Sequence, residues 1–158
     1  MSPADILHVA HQALFGAIAA AGFGVLFNFA PRDLVRCAGL GAGALTVRTL
    51  CQEIGWTLEA ATFFAALMTA TLVWLPRPEF RQASNLLALA GCIAMVPGAY
   101  FERAVLGFLA LTSQEQDVAG AALGEPLIAL LRVIFILGAM GTGLAIPPQF
   151  LKRRRAPE

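Results

Sequence analysis

The chain has 158 residues, of which 58% are hydrophobic and only 13% are charged, whereas a soluble domain usually has about a quarter of its residues charged. This excludes an ordinary water-soluble domain, and apolar stretches of about twenty residues, long enough to span a hydrocarbon core of about 30 Å, favour a membrane protein. The formal net charge of +1 says little about binding partners.

Five apolar segments follow one another, and the links between them are short. The first is preceded by Ser2, Pro3 and Asp5, a combination typical of a helix N-terminus. A cleaved signal peptide is not expected, because it needs a positively charged start and the first basic residue, Arg32, follows the apolar run. The segments run from about Ala13 to Ala30, Leu34 to Leu50, Trp56 to Leu75, Asn85 to Thr112 and Pro126 to Pro147.

The basic residues predict how these segments are oriented, because cytoplasmic flanks of membrane helices are enriched in Lys and Arg. With five spans and the N-terminus outside, eight of the eleven basic residues lie on inner flanks. We therefore expect an all-α polytopic membrane helix bundle of about five transmembrane helices, N-out and C-in, forming a single transmembrane domain over residues 1–158. The alternative has four spans, with the second segment re-entrant. The inner flanks carry Arg32, Arg36, Arg77, Arg81, Lys152, Arg153, Arg154 and Arg155, and the outer flanks carry Asp5, Glu53, Glu115, Asp117 and Glu125.

Small residues in the first, second and fifth segments predict close helix packing. Gly39 and Gly43 are four apart and make a flat face for a neighbouring helix. A formal dinucleotide fingerprint at the same place is rejected, because no strand precedes it and no βαβ unit surrounds it. These faces imply a bundle and leave a homo-oligomer open. The corresponding residues elsewhere are Gly16, Ala20, Gly24, Gly138, Gly141 and Gly143.

The fourth segment is interrupted by Pro97 and Gly98. Proline removes a backbone hydrogen bond and clashes with the preceding turn, and glycine tolerates the distorted dihedrals that follow. A membrane accepts such a break where the freed backbone groups are buried in protein or line a wet cavity, and transporters aim half-helix N-termini at anionic groups. The fourth helix is therefore predicted to be broken near mid-membrane, as a functional feature or as an ordinary proline kink.

Five charged residues lie inside the apolar segments, at similar depth in the outer half of the predicted bundle. A charge in a bilayer must face the bundle interior, water or a partner. Glu102 and Arg103 point about 100° apart on a helix, so each is expected to pair with another helix. Glu102 would face Arg48 or Arg132, and Arg103 would face Glu59. The set predicts either a slightly positive outer vestibule that favours a carboxylate, or interhelical ion pairs and snorkelling side chains.

No catalytic, metal or cofactor site is predicted. His8 and His11 share a helix face, but the chain has no other histidine, so interfacial polar residues are favoured over a metal or haem site. The three cysteines lie in apolar segments without a Cys-x-x-Cys motif and are interpreted as packing residues. The basic tail from Lys152 predicts contact with anionic lipid of the bilayer, and no nucleic acid is expected.

Four stretches, spread over nearly the whole chain, carry a resemblance to a known family. They are GFGVLFNFAPRDLVRCAGLGAG (Gly22 to Gly43), LEAATFFAALM (Leu58 to Met68), MVPGAYFERAV (Met95 to Val105) and GLAIP (Gly143 to Pro147). In this order they resemble the threonine/serine exporter family, specifically its C-terminal membrane domain when that occurs as a separate small protein. The chain looks like the small subunit of the two-component dicarboxylate exporters of that family.

This resemblance implies a five-helix half of a secondary transporter in the bacterial inner membrane. It implies export of small amino acids (threonine/serine) or dicarboxylates such as succinate, together with a larger membrane subunit of the same family. Asn28, Glu59, Pro97 and Gly98 match the family pattern, and Arg103 fits a position where Arg or a small polar residue is usual.

Three positions depart from the family pattern. Asn28 and Pro31 stand one residue further apart than usual, Ala94 replaces an expected proline, and Glu102 stands where an aromatic residue is usual. The hypothesis is proton-coupled export of a carboxylate-bearing substrate, with Glu59 or Glu102 taking up the proton. The alternative is an assembly subunit that stabilises its partner without touching substrate; a membrane enzyme is disfavoured. The substrate- and proton-path candidates are Glu59, Glu102, Arg103, Arg132, Arg48 and Asn28.

Overall fold

The computed structural model describes residues 3–75, 84–112 and 123–152, and these ranges are helical, with no β-strand among them. This confirms the all-α prediction for the part of the chain described. Several of the charged flanks that predicted the orientation, including Arg77, Arg81, Glu115, Asp117 and Arg153 to Arg155, lie outside these residues. The helices are α1 (Pro3–Leu26), α2 (Pro31–Glu53), α3 (Leu58–Trp74), α4 (Ser84–Cys92) followed by a 3₁₀ turn (Ile93–Met95), α5 (Gly98–Leu111) and α6 (Gly124–Lys152).

Three of these helices, α1, α2 and α6, are long and apolar enough to cross a membrane. Helices α4 and α5 meet the same test only as a pair with a break between them, and α3 is apolar but has 17 residues. Helix α2 runs without interruption for 23 residues, which is not the shape of a re-entrant segment. The fifth segment, expected to run to about Pro147, continues as α6 through Pro147 and Pro148 to Lys152. The count of five spans and the N-out orientation stay predictions.

Contacts within the chain group the residues into two compact units. The first comprises Met1–Met95 and Ala139–Glu158, and the second comprises Val96–Gly138. The single transmembrane domain over residues 1–158 stays a prediction.

The first unit contains a crossing of α1 and α2 at which the two backbones touch. A Cβ atom added to Gly41 would overlap the carbonyl oxygen of Gly16, and one added to Gly16 would overlap the carbonyl oxygen of Gly41. Gly24 lies on the same face of α1, where an added Cβ would lie 2.8 Å from the Cδ2 atom of Leu34. The predicted small-residue face of α1 is therefore confirmed.

The face of α2 that packs within the chain is not the one predicted. A Cβ atom added to Gly39 or Gly43 would meet nothing within 4 Å, whereas one added to Gly41 would overlap α1. The reason is helix rotation: a step of two residues turns the side chain by about 200°, so Gly41 faces away from the other two. The three glycines of this stretch look alike in the sequence, and only the packing of the helices determines which of them faces α1.

Small and threonine side chains complete the core of the first unit. Gly143 of α6 lies against the backbone of α3, where an added Cβ would lie 2.7 Å from the carbonyl oxygen of Phe63. A Cβ atom added to Gly138 or Gly141 would meet nothing within 4 Å, so the packing predicted there is not made within the described chain. Thr62 and Thr69 are fully buried, and each hydroxyl donates to the carbonyl four residues earlier, which lets a polar side chain lie in an apolar helix.

Candidate functional site

The break in the fourth segment is built by Pro97. The 3₁₀ turn ends at Met95, the amide of Gly98 donates to the carbonyl of Val96 at 2.9 Å, and Pro97 has φ −81° and ψ 61°. These are the hydrogen bond and dihedrals of an inverse γ-turn. The amide of Phe101 then donates to the carbonyl of Pro97 at 3.1 Å, which starts α5. The predicted break at Pro97 and Gly98 is therefore confirmed.

Gly98 plays a smaller part in this break than its sequence position suggests. Its φ is not positive, and a Cβ atom added to it would meet nothing within 4 Å. The tolerance of glycine for distorted dihedrals is not used here, because α5 begins at Gly98 without a positive φ.

Arg48 of α2 is held by the backbone on the N-terminal side of the break. Its Nη1 atom donates to the carbonyl oxygen of Met95 at 3.1 Å, and Arg48 is half-buried. A main-chain carbonyl is therefore one partner of this arginine, and the acidic partner that the sequence predicted stays a prediction.

The second unit contains a cleft between α5 and the first turns of α6. The helices approach closely where Gly107 faces Pro126, since a Cβ atom at Gly107 would overlap the proline ring. Tyr100, Arg103 and Gly107 lie on one face of α5, at spacings of three and four residues that bring them into one row. This close approach places the polar side chains of both helices along a shared cavity.

Two arginines flank one tyrosine in this cleft. Arg132 donates from Nη1 to the Tyr100 hydroxyl at 2.9 Å, and its Cζ atom lies 5.3 Å from the centroid of the tyrosine ring. The Cζ atom of Arg103 lies 6.0 Å from the same centroid. Guanidinium groups within about 6 Å of an aromatic face are held by cation–π attraction. Tyr100 therefore holds both guanidinium groups in place. Its hydroxyl accepts a hydrogen bond from one nitrogen of Arg132.

The cleft has a volume of about 620 Å³, within the roughly 300–1,000 Å³ usual for small-molecule sites. Its charged lining consists of Arg103, Arg132 and Glu125, a net charge of +1. An excess of guanidinium over carboxylate favours a small anion, and arginine can hold a carboxylate by two parallel hydrogen bonds. Among the described residues, no group of three or more His, Cys, Asp or Glu side chains is placed to hold a metal ion. The remaining lining residues are Tyr100, Leu106, Gly107, Pro126, Ile128 and Ala129.

The two acidic candidates lie in different settings. Glu102 is exposed on α5 and is not one of the cleft residues, although its neighbour Arg103 is. Glu59 is half-buried in the first turn of α3, after Thr57 accepts the amide of Ala60 at 3.3 Å. A carboxylate there stabilises the positive end of the helix dipole. The pairings predicted for Glu59 with Arg103 and for Glu102 with Arg48 stay predictions.

Asn28 closes the C-terminus of α1 through its backbone. It has φ 56°, its amide donates to Val25 at 2.9 Å, and the amide of Phe29 donates to Gly24 at 3.0 Å. This pair of bonds is the Schellman motif, in which asparagine is the usual alternative to glycine. Its side chain is exposed. The asparagine thus has a structural explanation that needs no substrate.

Sequence reasoning missed Tyr100 and placed Glu125 in an outer link rather than in a site. A signal for Tyr100 was present, since it is the only tyrosine of the chain and precedes Arg103 by three residues, directly after the break. For Glu125 there was none, because its place in the cleft depends on how closely α6 approaches α5.

Comparison with known proteins identifies the family of this chain. The model of the family described as "Threonine/Serine exporter, ThrE" matches residues 12–150, a range that includes the whole second unit. The chain belongs to the ThrE exporter family. An uncharacterized protein of Haemophilus influenzae (strain ATCC 51907 / DSM 11121 / KW20 / Rd) is 29% identical over 150 residues, covering 95% of the chain and 50% of that protein. The ThrE-family chain thus spans about half the length of this curated relative. No solved structure matches it.

Family membership confirms the resemblance carried by the four sequence stretches. Together with the apolar helices, it identifies the chain as a membrane protein of a transporter family. The cleft of the second unit lies entirely within the part that the ThrE model matches.

Proposed function

We propose that this ThrE-family chain is one subunit of a multi-pass secondary transporter that exports a small carboxylate-bearing metabolite across the bacterial inner membrane. The observation that carries the proposal is the placement of Tyr100 between Arg103 and Arg132 in a cleft of about 620 Å³. The substrates in view are small amino acids such as threonine and serine, and dicarboxylates such as succinate.

The cleft would bind a carboxylate by exchanging partners on Arg132. Its Nη1 atom now donates to the tyrosine hydroxyl, which is a neutral acceptor. A carboxylate is a stronger acceptor, because charge-assisted hydrogen bonds are roughly twice as strong as neutral ones. The entering group would take the place of the hydroxyl, while the ring of Tyr100 keeps the guanidinium in position.

A larger subunit of the same family is part of this proposal. The motivating fact is that the relative from Haemophilus influenzae is about twice as long as its matched part. Proton coupling is also proposed, with Glu59 or Glu102 taking up the proton that enters as substrate leaves. Neither carboxylate needs to touch the substrate for this exchange.

The proposal is tested by transport into everted membrane vesicles that contain the chain and its larger partner, with isotope-labelled serine, threonine and succinate. Arg132→Ala is expected to raise the half-saturation concentration about tenfold or more, since a hydrogen bond to a charged group is worth about 1.5–3 kcal/mol. Arg36→Ala is the matched control, because Arg36 pairs with Asp33 at 2.7 Å on α2 and lies outside the cleft. Equal effects of the two variants would reject the cleft as the substrate site.

Two further variants test the coupling. Glu59→Gln and Glu102→Gln are expected to change how transport depends on an imposed proton gradient, at least one of them abolishing that dependence. Uptake by both variants that matches the unmodified complex at every gradient would contradict the coupling.

An assembly role is the second candidate, and one observation favours it. Arg132 already has a partner inside its own unit, so the Arg132–Tyr100 pair can serve to hold α5 against α6. This role predicts that Arg132→Ala lowers the abundance of the partner subunit while transport per complex is unchanged. Quantifying both subunits in the same vesicles separates the two functions.

A further inference from the structure

The backbone at the break needs a hydrogen-bond donor that the helix itself does not supply. If the 3₁₀ turn continued, the carbonyl of Met95 would accept from the amide of Gly98, three residues later. At the break that amide donates to the carbonyl of Val96 instead. An unsatisfied carbonyl in an apolar core is costly, so it must be served from another element.

Arg48 supplies that donor from α2. Its Nη1 atom lies 3.1 Å from the carbonyl oxygen of Met95. The side chain of Met95 is fully buried in a cluster that includes Ala44 and Leu45, which precede Arg48 on α2 by about one turn. One face of α2 therefore holds both the side chain and the carbonyl of the last residue before the break.

The interaction satisfies both groups. A guanidinium inside an apolar segment is tolerated only where it finds a partner or water, and a carbonyl at an interrupted helix needs a donor. The arginine is explained by the break, which lies 47 residues further along the chain.

We propose that Arg48 is a positioning residue. Its hydrogen bond to the carbonyl of Met95, called the clamp below, fixes the position of the break in the fourth segment of this transporter. This inference rests on the proposed function for its consequence in transport, and on the geometry alone for its structural part. The clamp fixes where the 3₁₀ turn ends, and the γ-turn that starts the Tyr100-bearing helix follows directly.

A native cysteine reports on the clamp. Cys92 is fully buried in the same cluster as Met95, three residues before it, whereas Cys37 is fully buried in the other cluster of the first unit. In a Cys51→Ala background of the full chain, alkylation of Cys92 and Cys37 by N-ethylmaleimide is followed by mass spectrometry. Arg48→Met keeps the length of the side chain and removes the donors, and Arg48→Lys keeps a charged donor.

The clamp predicts selective opening. In Arg48→Met, alkylation of Cys92 is expected to be about tenfold faster or more, the factor that follows from loss of one charge-assisted hydrogen bond. Cys37 should react at its original rate, Arg48→Lys should stay within about twofold of the unmodified chain, and Arg36→Met should have no effect. An unchanged rate at Cys92 overturns the proposal. Equal acceleration at both cysteines also overturns it, because Arg48 would then stabilise the whole unit rather than the break.

Transport in vesicles supplies the functional arm. Arg48→Met is expected to lower the maximal rate about tenfold while the half-saturation concentration stays within twofold, because the cleft residues are untouched. A raised half-saturation concentration at full rate would show direct substrate contact and would overturn the positioning role. If the unmodified complex moves none of the tested substrates, the proposed function fails, and the cysteine arm still decides on the clamp.

Discussion

Substituting three glycines of α2 one at a time tests whether their packing, rather than their number, determines the stability of the protein. We expect Gly41→Ala to destabilise the protein strongly, because the added Cβ would overlap the carbonyl oxygen of Gly16 and lie 3.0 Å from its carbonyl carbon. Relief to ordinary contact distance moves α1 and α2 apart by about 1 Å, and overpacking of this kind costs about 1–3 kcal/mol. The expected fall in melting temperature is about 2–12 °C for a chain of this size. Thermal unfolding of the purified protein in detergent measures it.

Gly39→Ala and Gly43→Ala are matched controls on the same helix. An added Cβ has nothing within 4 Å at either position, so the gain in helix propensity, up to about 1 kcal/mol, is unopposed. Both variants should melt at or above the temperature of the unmodified chain. Refutation is direct: if either control loses as much stability as Gly41→Ala, the helices cross on the other face of α2.

Four further outcomes follow from the described geometry. Asn28→Gly should stay within about 0.5 kcal/mol of the original stability and keep transport, because glycine also adopts φ 56°. Asn28→Val should lose about 1–2 kcal/mol, measured by the same melting assay. Gly98→Ala should leave expression and transport unchanged, whereas Pro97→Ala should lower the maximal rate of transport by letting the helix continue through the break. Tyr100→Phe should lower the half-saturation concentration for a carboxylate severalfold, since the ring stays while the competing hydroxyl on Arg132 is lost; a higher value would contradict the exchange of partners.

The features that the sequence predicted well are those that depend on local covalent chemistry. Proline has no amide hydrogen wherever it stands, so the break at Pro97 could be located from the sequence to within a residue. The apolar segments likewise became helices, with ends shifted by a few residues, and α1 begins at Pro3, where Ser2, Pro3 and Asp5 predicted a helix N-terminus. Length and hydropathy are sums over many residues and tolerate such shifts.

The features that the sequence predicted wrongly depend on the rotation and approach of helices. Gly41 faces α1 while Gly39 faces open space, although the two are equally small and lie within two residues. The cleft is similar, since the place of Glu125 in it follows from the contact between Gly107 and Pro126. The spacing of residues along the chain determines neither how a helix is rotated about its axis nor which residues of another helix lie against it.

The arginines show that pairing charges by depth leaves neutral partners out of account in a bundle of this kind. Sequence reasoning matched each arginine to a carboxylate, because a charge in an apolar segment needs a partner. One partner of Arg48 is the main-chain carbonyl of Met95 at the break, and Arg132 has a phenol that supplies both a hydroxyl and a ring. The phenol is neutral, so it orders Arg132 without adding a negative charge to the cleft, whose charged lining keeps a net charge of +1. Under the proposed function this suits a carboxylate substrate, because the substrate must be attracted to the cleft and then released from it.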